Sequence, residues 1–206
     1  MEINVYLAFV VATIIMIASP GPSVLLTIAH SISFGWKRAL STVAGATAGV
    51  AFQLIIASIG LASLLNSVAD AFEWLRWTGA AYLVYLGIKQ WQSANEPLDL
   101  ETQTTSNVKL FVQGLIITIP NPKSLIFIAA FLPQFIDTNR PLLMQFSYIV
   151  PTFLLITFIV TSIWAMVAGK ARGLFQNKKA YQLLLRGAAG LMVLAGLGLA
   201  LARSGS

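Results

Sequence analysis

Six apolar runs, residues 5–29, 40–65, 72–91, 110–136, 143–169 and 183–202, restrict the fold more than any other feature of the chain. Each has at least 20 residues, enough for a helix to cross ~30 Å of hydrocarbon, and the longer runs leave room for tilt or a bend. Lipid offers no partner to backbone N–H and C=O groups, so the runs are predicted to be helices and the chain an all-α membrane protein. A soluble fold of 206 residues could not hide such runs: 57% of the chain is hydrophobic and 10% is charged, against about 25% charged in soluble domains. The chain carries a net charge of +6, and most of its basic residues lie in short loops between the runs, which fits a lipid bilayer as partner and not nucleic acid. With no cysteine there is no disulfide or thiolate metal site, and one histidine cannot build a multi-histidine metal site. The first run lacks a basic leader and a small-x-small cleavage site, so it reads as a retained helix, not a signal peptide.

Charge orients the segments. Lys37 and Arg38 lie in the first loop, Lys89 and Lys109 flank the third, and Lys170, Arg172, Lys178 and Lys179 lie in the fifth, while the second and fourth loops hold only Arg140. Lysine and arginine favour the cytoplasmic side, which places the odd loops inside and both termini outside, in the periplasm if the membrane is a bacterial inner membrane. Three helices per half is an odd number, so two such halves enter the membrane in opposite directions. The layout is six transmembrane helices in two inverted-topology repeats, residues 1–92 and 108–203, joined by a polar, acidic cytoplasmic linker at 93–107.

Two of the runs carry a device that breaks helices. Pro20-Gly21-Pro22-Ser23-Val24-Leu25-Leu26 parallels Pro120-Asn121-Pro122-Lys123-Ser124-Leu125-Ile126 one hundred residues later. A weaker echo pairs Gly79-Ala80-Ala81-Tyr82-Leu83 with Gly187-Ala188-Ala189-Gly190-Leu191, each following an arginine, Arg76 or Arg186. Proline supplies no N–H and its ring strikes the carbonyl four residues back, so helices 1 and 4 are expected to be broken at P-x-P, by Pro20 and Pro22 and by Pro120 and Pro122. Asn121, driven extended by the following proline, suits the N-cap of a half-helix starting at Pro122. Interrupted segments at matching positions of two halves are the sequence mark of a transporter binding site. Lys123 lies about 20 Å along the helix from the nearest other charges, Lys109 and Asp137, near the bilayer midplane. A lysine there costs about 2.5–3.5 kcal/mol to insert. It either bonds carbonyls loosened by the break or meets a ligand, and both can hold. Together with the half-helix N–H groups of Lys123 and Ser124 it makes an anion site. The candidate substrate-binding residues are Lys123, Asn121, Ser124, Gly21, Ser23 and Gln53; no catalytic or metal-binding set and no cofactor is expected.

Other features admit plainer readings. Gln53 within the second run is expected to make a helix–helix hydrogen bond or to face a cavity. Gly45-Ala46-Thr47-Ala48-Gly49 allows close helix packing within or between protomers, leaving a homo-oligomer possible. His30 is expected at the cytoplasmic interface, with a proton-sensing role as the alternative. Asp70, Glu73 and Asp137 read as solvated helix-end charges. Among Trp74, Trp77, Tyr82, Tyr85 and Trp91, those near the helix ends fit an aromatic belt. Phe175 and Tyr181 among the fifth-loop lysines fit a stretch lying on anionic lipid.

The runs A-S-P-G-P at Ala18–Pro22, F-G-W-K-R-A at Phe34–Ala39 and N-P-K-S-L-I-F-I-A-A-F-L-P-Q-F-I-D at Asn121–Asp137 resemble the lysine exporter / homoserine–threonine resistance superfamily. The resemblance extends over essentially the whole chain in length, layout and motif placement. It implies a bacterial inner-membrane exporter of amino acids or related metabolites, driven by the proton-motive force, with Pro20, Gly21, Pro22, Asn121, Pro122 and Lys123 as signature positions. The expected mechanism has the substrate carboxylate on Lys123 and the half-helix N–H groups. The substrate ammonium would meet carbonyls freed by proline at Met16, Ala18, Ile116 and Thr118. No acidic side chain lies deep in any run, which favours small neutral amino acids of the homoserine, threonine or leucine type over cationic ones. Protons as the coupling ion would be carried by Lys123 or His30. An ion channel or an exporter of cationic amino acids is the alternative reading. A membrane scaffold would tolerate loss of Lys123, and a membrane enzyme lacks a nucleophile–base set.

Overall fold

The computed structural model describes residues 2–64, 77, 80–81, 84–85, 87–89, 91–92, 94, 105–137, 139–171 and 178–201. The second loop, Asp70, Glu73, Trp74, Arg76, Tyr82, most of the linker, Arg172 and Phe175 lie outside these residues, as does much of the run at 72–91. The described residues are helical, with no strand among them.

The first apolar run forms two helices, α1 (Ile3–Ala18) and α2 (Pro22–Phe34), whose axes differ by 55°. Gly21, extended at φ −109° and ψ −171°, precedes α2, and Pro22 takes the first helical position, where its missing N–H costs nothing. Gly35 at φ 86° closes α2. That backbone region favours glycine, and it lets the chain turn at once into α3 (Trp36–Leu64). The second half repeats the arrangement. Ser106 caps α4 (Asn107–Thr118) by accepting the Lys109 N–H at 3.2 Å. After Ile119 and Pro120, α5 (Pro122–Ile126) starts at an axis angle of 50° to α4. α5 then widens into a π turn, Phe127–Phe131, and tightens into a 3₁₀ turn, Leu132–Phe135. Pro133 cannot donate to the Ala129 carbonyl, which disturbs the winding there; the Gln134 side chain donates to the Ala130 carbonyl at 2.9 Å. Then come α6 (Leu142–Lys170), which runs through Pro151, and α7 (Lys178–Leu201).

Residues sort inside-out. Ile55, Ile59, Leu155, Ile159 and Ile163, spaced four apart on α3 and α6, are exposed, while Gln53, Thr157, Thr161 and Ser162 on the same helices are buried. Water would penalise such exposure, whereas hydrocarbon favours it. Trp36–Ile59 and Leu142–Lys170 are long and apolar enough to cross a membrane, and each bent pair adds a candidate span, giving up to four among the described residues.

Contacts run between halves. α3 packs along α4, while α6 packs against both α1 and α2. The broken helix of each half thus lies on the long helix of the other, and both long helices have 29 residues. The glycines of the G-x-x-x-G serve the first contact, within the protomer: an added Cβ at Gly45 would strike the Phe111 carbonyl, and one at Gly49 would lie 2.8 Å from Thr118 Cβ. Gly114 faces back, its added Cβ falling on the Thr42 carbonyl and 3.1 Å from the Ala46 nitrogen. A second core joins Phe9, Phe127 and Phe153, with Phe9 and Phe135 edge-to-face at 5.6 Å and Phe127 and Phe131 stacked at 4.8 Å. Gly114→Val should wedge α3 from α4 and destabilise the protein by about 1–3 kcal/mol. Thermal unfolding in detergent reads this as a lowered Tm, and an unchanged Tm would contradict the close contact.

Candidate functional site

Both breaks meet in the middle of the bundle. Asn121, extended at φ −64° and ψ 108°, caps α5: its Oδ1 accepts the Lys123 N–H at 3.1 Å. Its Nδ2 reaches Ser23 Oγ at 3.4 Å, so one side chain ties α5 to the start of α2. Ser124 Oγ donates to the Asn121 carbonyl at 3.1 Å. Lys123 is buried, at 5% exposure, and its ammonium donates to the Ser19 carbonyl in the break of the first half. The stem of Lys123 passes directly over Gly21, where an added Cβ would sit 2.9 Å from Lys123 Cδ. That close approach explains a glycine between Pro20 and Pro22. Gln53 reaches the other break from α3, its Nε2 donating to the carbonyls of Thr118 at 2.7 Å and Ile119 at 3.0 Å.

Lys123, Asn121, Ser124, Gly21 and Ser23 therefore line one cavity, with Gln53 behind its wall holding the Thr118 turn. Its other walls are Met16, Val24, Val50 and Phe153, with Thr118, Thr157 and Thr161 adding hydroxyls. No carboxylate is among the lining residues. The centres of water-sized spheres fit over about 30 Å³, room for a few waters but not for an amino acid. Thr118 Oγ1 and Gln53 Oε1 are buried without a partner among the described residues, and each retains capacity to bond a polar guest.

Several expectations need correction. The Lys123 N–H is consumed by the Asn121 cap and is not free for an anion. The Thr118 carbonyl accepts from Gln53 and from the Asn121 N–H at 3.0 Å, which fills its lone pairs. The Ala18 carbonyl accepts the indole N–H of Trp164 at 3.2 Å. Of the four carbonyls expected to take an ammonium, Met16 remains at the cavity; the Ile116 side chain faces outward at 62% exposure. The His30 side chain is not exposed at a surface: it is buried between α2 and α3, Nδ1 2.7 Å from Thr42 Oγ1. Asp137 behaves as a helix-end charge, paired with Arg140 at 3.1 Å.

Thr157, Thr161 and Trp164 escaped the sequence reading. The two threonines do leave a trace, four residues apart and so on one face of an apolar helix. Trp164 leaves none, because its role depends on which helix α6 lies against.

Gln53→Leu should leave the Thr118 and Ile119 carbonyls short of a donor and destabilise the fold by about 1–3 kcal/mol. Thermal unfolding in detergent measures it, with Gln53→Asn as a partial rescue; a Tm equal to wild type would show that the amide is not needed at the break.

Bent, lipid-facing helices converging on a buried lysine are the build of a membrane transport protein, and the described residues hold no cluster able to ligate a metal. The chain matches the LysE type translocator family over residues 14–205 and belongs to that family. It is 34% identical over 200 residues to a homoserine/homoserine lactone efflux protein of Salmonella typhi, covering 96% of this chain and 97% of that one. Identity to the homoserine/homoserine lactone efflux protein of Salmonella typhimurium is 33% over the same shares. An uncharacterized membrane protein of Vibrio cholerae is 34% identical over 162 residues, 78% of each chain. No solved structure matches. The protein is a translocator, not an enzyme.

Proposed function

We propose that this translocator exports a small neutral amino acid, of the homoserine type, across the bacterial inner membrane, and that Lys123 binds the substrate carboxylate. The observation that carries this reading is a buried ammonium in a cavity without a carboxylate. An unpaired charge in a low-dielectric site is expensive, and a single carbonyl compensates it only in part. A substrate carboxylate supplies the missing charge and a stronger hydrogen bond. The same cavity holds no acid to pair with a cationic side chain, which sets lysine and arginine aside. Relatives that act on homoserine and its lactone support the substrate size.

In this reading Asn121 and Ser23 join the two breaks, Gly21 admits the lysine stem, Ser124 fixes the Asn121 turn and Gln53 holds the second break. The substrate ammonium goes to the Met16 carbonyl, which lost its helical partner to Pro20, and to the hydroxyls of Thr118, Thr157 and Thr161. Six spans in two inverted halves, 1–92 and 108–203 around the linker at 93–107, rock to expose the site on either side, with both termini periplasmic. The crossed packing of α4 on α3 and of α1–α2 on α6 supports that symmetry. Proton-motive force drives the cycle, with Lys123 or His30 carrying the proton.

Lys123→Ala should abolish homoserine efflux from loaded cells while the protein remains in the membrane at wild-type abundance. Efflux at the wild-type rate would refute the carboxylate role. A phosphatase reporter, active only in the periplasm, should be active when fused to the C-terminus; activity of a cytoplasmic reporter alone would overturn the topology.

A further inference from the structure

The two breaks expose carbonyls in the same register. Residue 18 would ordinarily bond the N–H of residue 22, and residue 118 that of residue 122, but both donors are prolines. Each of these carbonyls is met by a side chain from the long helix of the opposite half, Thr118 in addition to its bond from the Asn121 N–H. Gln53 of α3 donates to Thr118 at 2.7 Å, and Trp164 of α6 donates to Ala18 at 3.2 Å. The next carbonyl along is also taken in both halves: Ile119 by Gln53, Ser19 by the Lys123 ammonium. An indole has one N–H and no acceptor, so this bond is the whole polar capacity of Trp164.

From this we propose that Trp164 is a positioning residue for the site: its N–H pins the Ala18 carbonyl, so the adjoining Ser19 carbonyl stays aimed at Lys123 and the ammonium stays presented to the cavity. It is the counterpart of Gln53 in a pair of crossed caps that ties each broken helix to the other half. Trp164 is absent from the cavity lining, so it acts through Ala18 and Ser19 and not by touching substrate. Packing places α1 and α2 on α6 and α4 on α3, so each cap lies inside a contact between the two halves. The proposal rests on the exporter reading for its effect on transport, but the cap itself does not.

The test uses the full-length protein in two settings. In proteoliposomes, transport of radiolabelled homoserine is compared for wild type, Trp164→Phe and a variant carrying benzothienylalanine at 164, which keeps the indole shape without the N–H. Both replacements should raise KM about tenfold, the value of one hydrogen bond, with maximal rate within about twofold of wild type. In nanodiscs, the indole ¹⁵N–¹H cross-peak lost in Trp164→Phe identifies Trp164. Pro22→Ala gives the Ala18 carbonyl a competing backbone N–H and should move that cross-peak toward the position of a free indole. A wild-type KM for the benzothienylalanine protein, a fall in maximal rate at unchanged KM, or a cross-peak unmoved by Pro22→Ala would each overturn the proposal. If wild type fails to move homoserine, the exporter reading fails on that substrate, and the cross-peak alone decides the cap.

Discussion

A carbonyl stripped of its helical N–H needs a donor from elsewhere in the protein, and this structure depends on how such groups at the two breaks are met. Pro22 and Pro122 cannot donate to the Ala18 and Thr118 carbonyls; Ala18 is met by the Trp164 indole, and Thr118 by Gln53 and the Asn121 N–H. The hydrocarbon core of a bilayer offers no donors, and here protein side chains supply them. Trp164, Gln53 and Lys123 do so, and all three cross from the opposite half of the chain. The breaks, the contact of long helix with broken helix, and the burial of a lysine are therefore one requirement seen from three sides.

The lysine differs from the other two donors because it brings a charge. A neutral amide or indole satisfies a carbonyl and is finished. An ammonium on one carbonyl still carries its charge, in a cavity whose walls are hydroxyls, an amide and apolar side chains. In the proposed reading a small anion completes the site. In the proposed cycle this incompleteness is the driving feature: substrate binding neutralises the charge, and release restores it. The cavity as it stands has a few waters' worth of space, so in the proposed cycle its walls part for loading.

How far the sequence could be read depends on the range of the interaction. The Asn121 cap and the start of α5 at Pro122 follow from neighbours two residues away, and the chain spells them out. The close approach of α3 to α4 was half legible: Gly45 and Gly49 announce a contact but not its partner, which Gly114 supplies from the other half. Lys123 stood out by its depth, and Gly21 and Asn121 by their place between prolines. What could not be read were partners set by tertiary geometry. His30 lies near the end of α2, where a side chain reads as exposed, yet the turn at Gly35 folds α3 back over it and Thr42 takes its Nδ1. Carbonyls counted as free for a ligand were already claimed by Gln53 and Trp164, since no sequence rule says which side chains face a break.

The central claim is that Lys123 presents its ammonium for a carboxylate. Lysine labelled with ¹⁵N gives seven side-chain signals from this chain, and the one lost in Lys123→Met identifies the buried group. Titrating the protein in nanodiscs with homoserine should move that signal saturably, while 3-aminopropan-1-ol, which is homoserine without its carboxyl group, should leave it in place. Equal shifts from both compounds, or none from homoserine, would contradict the account.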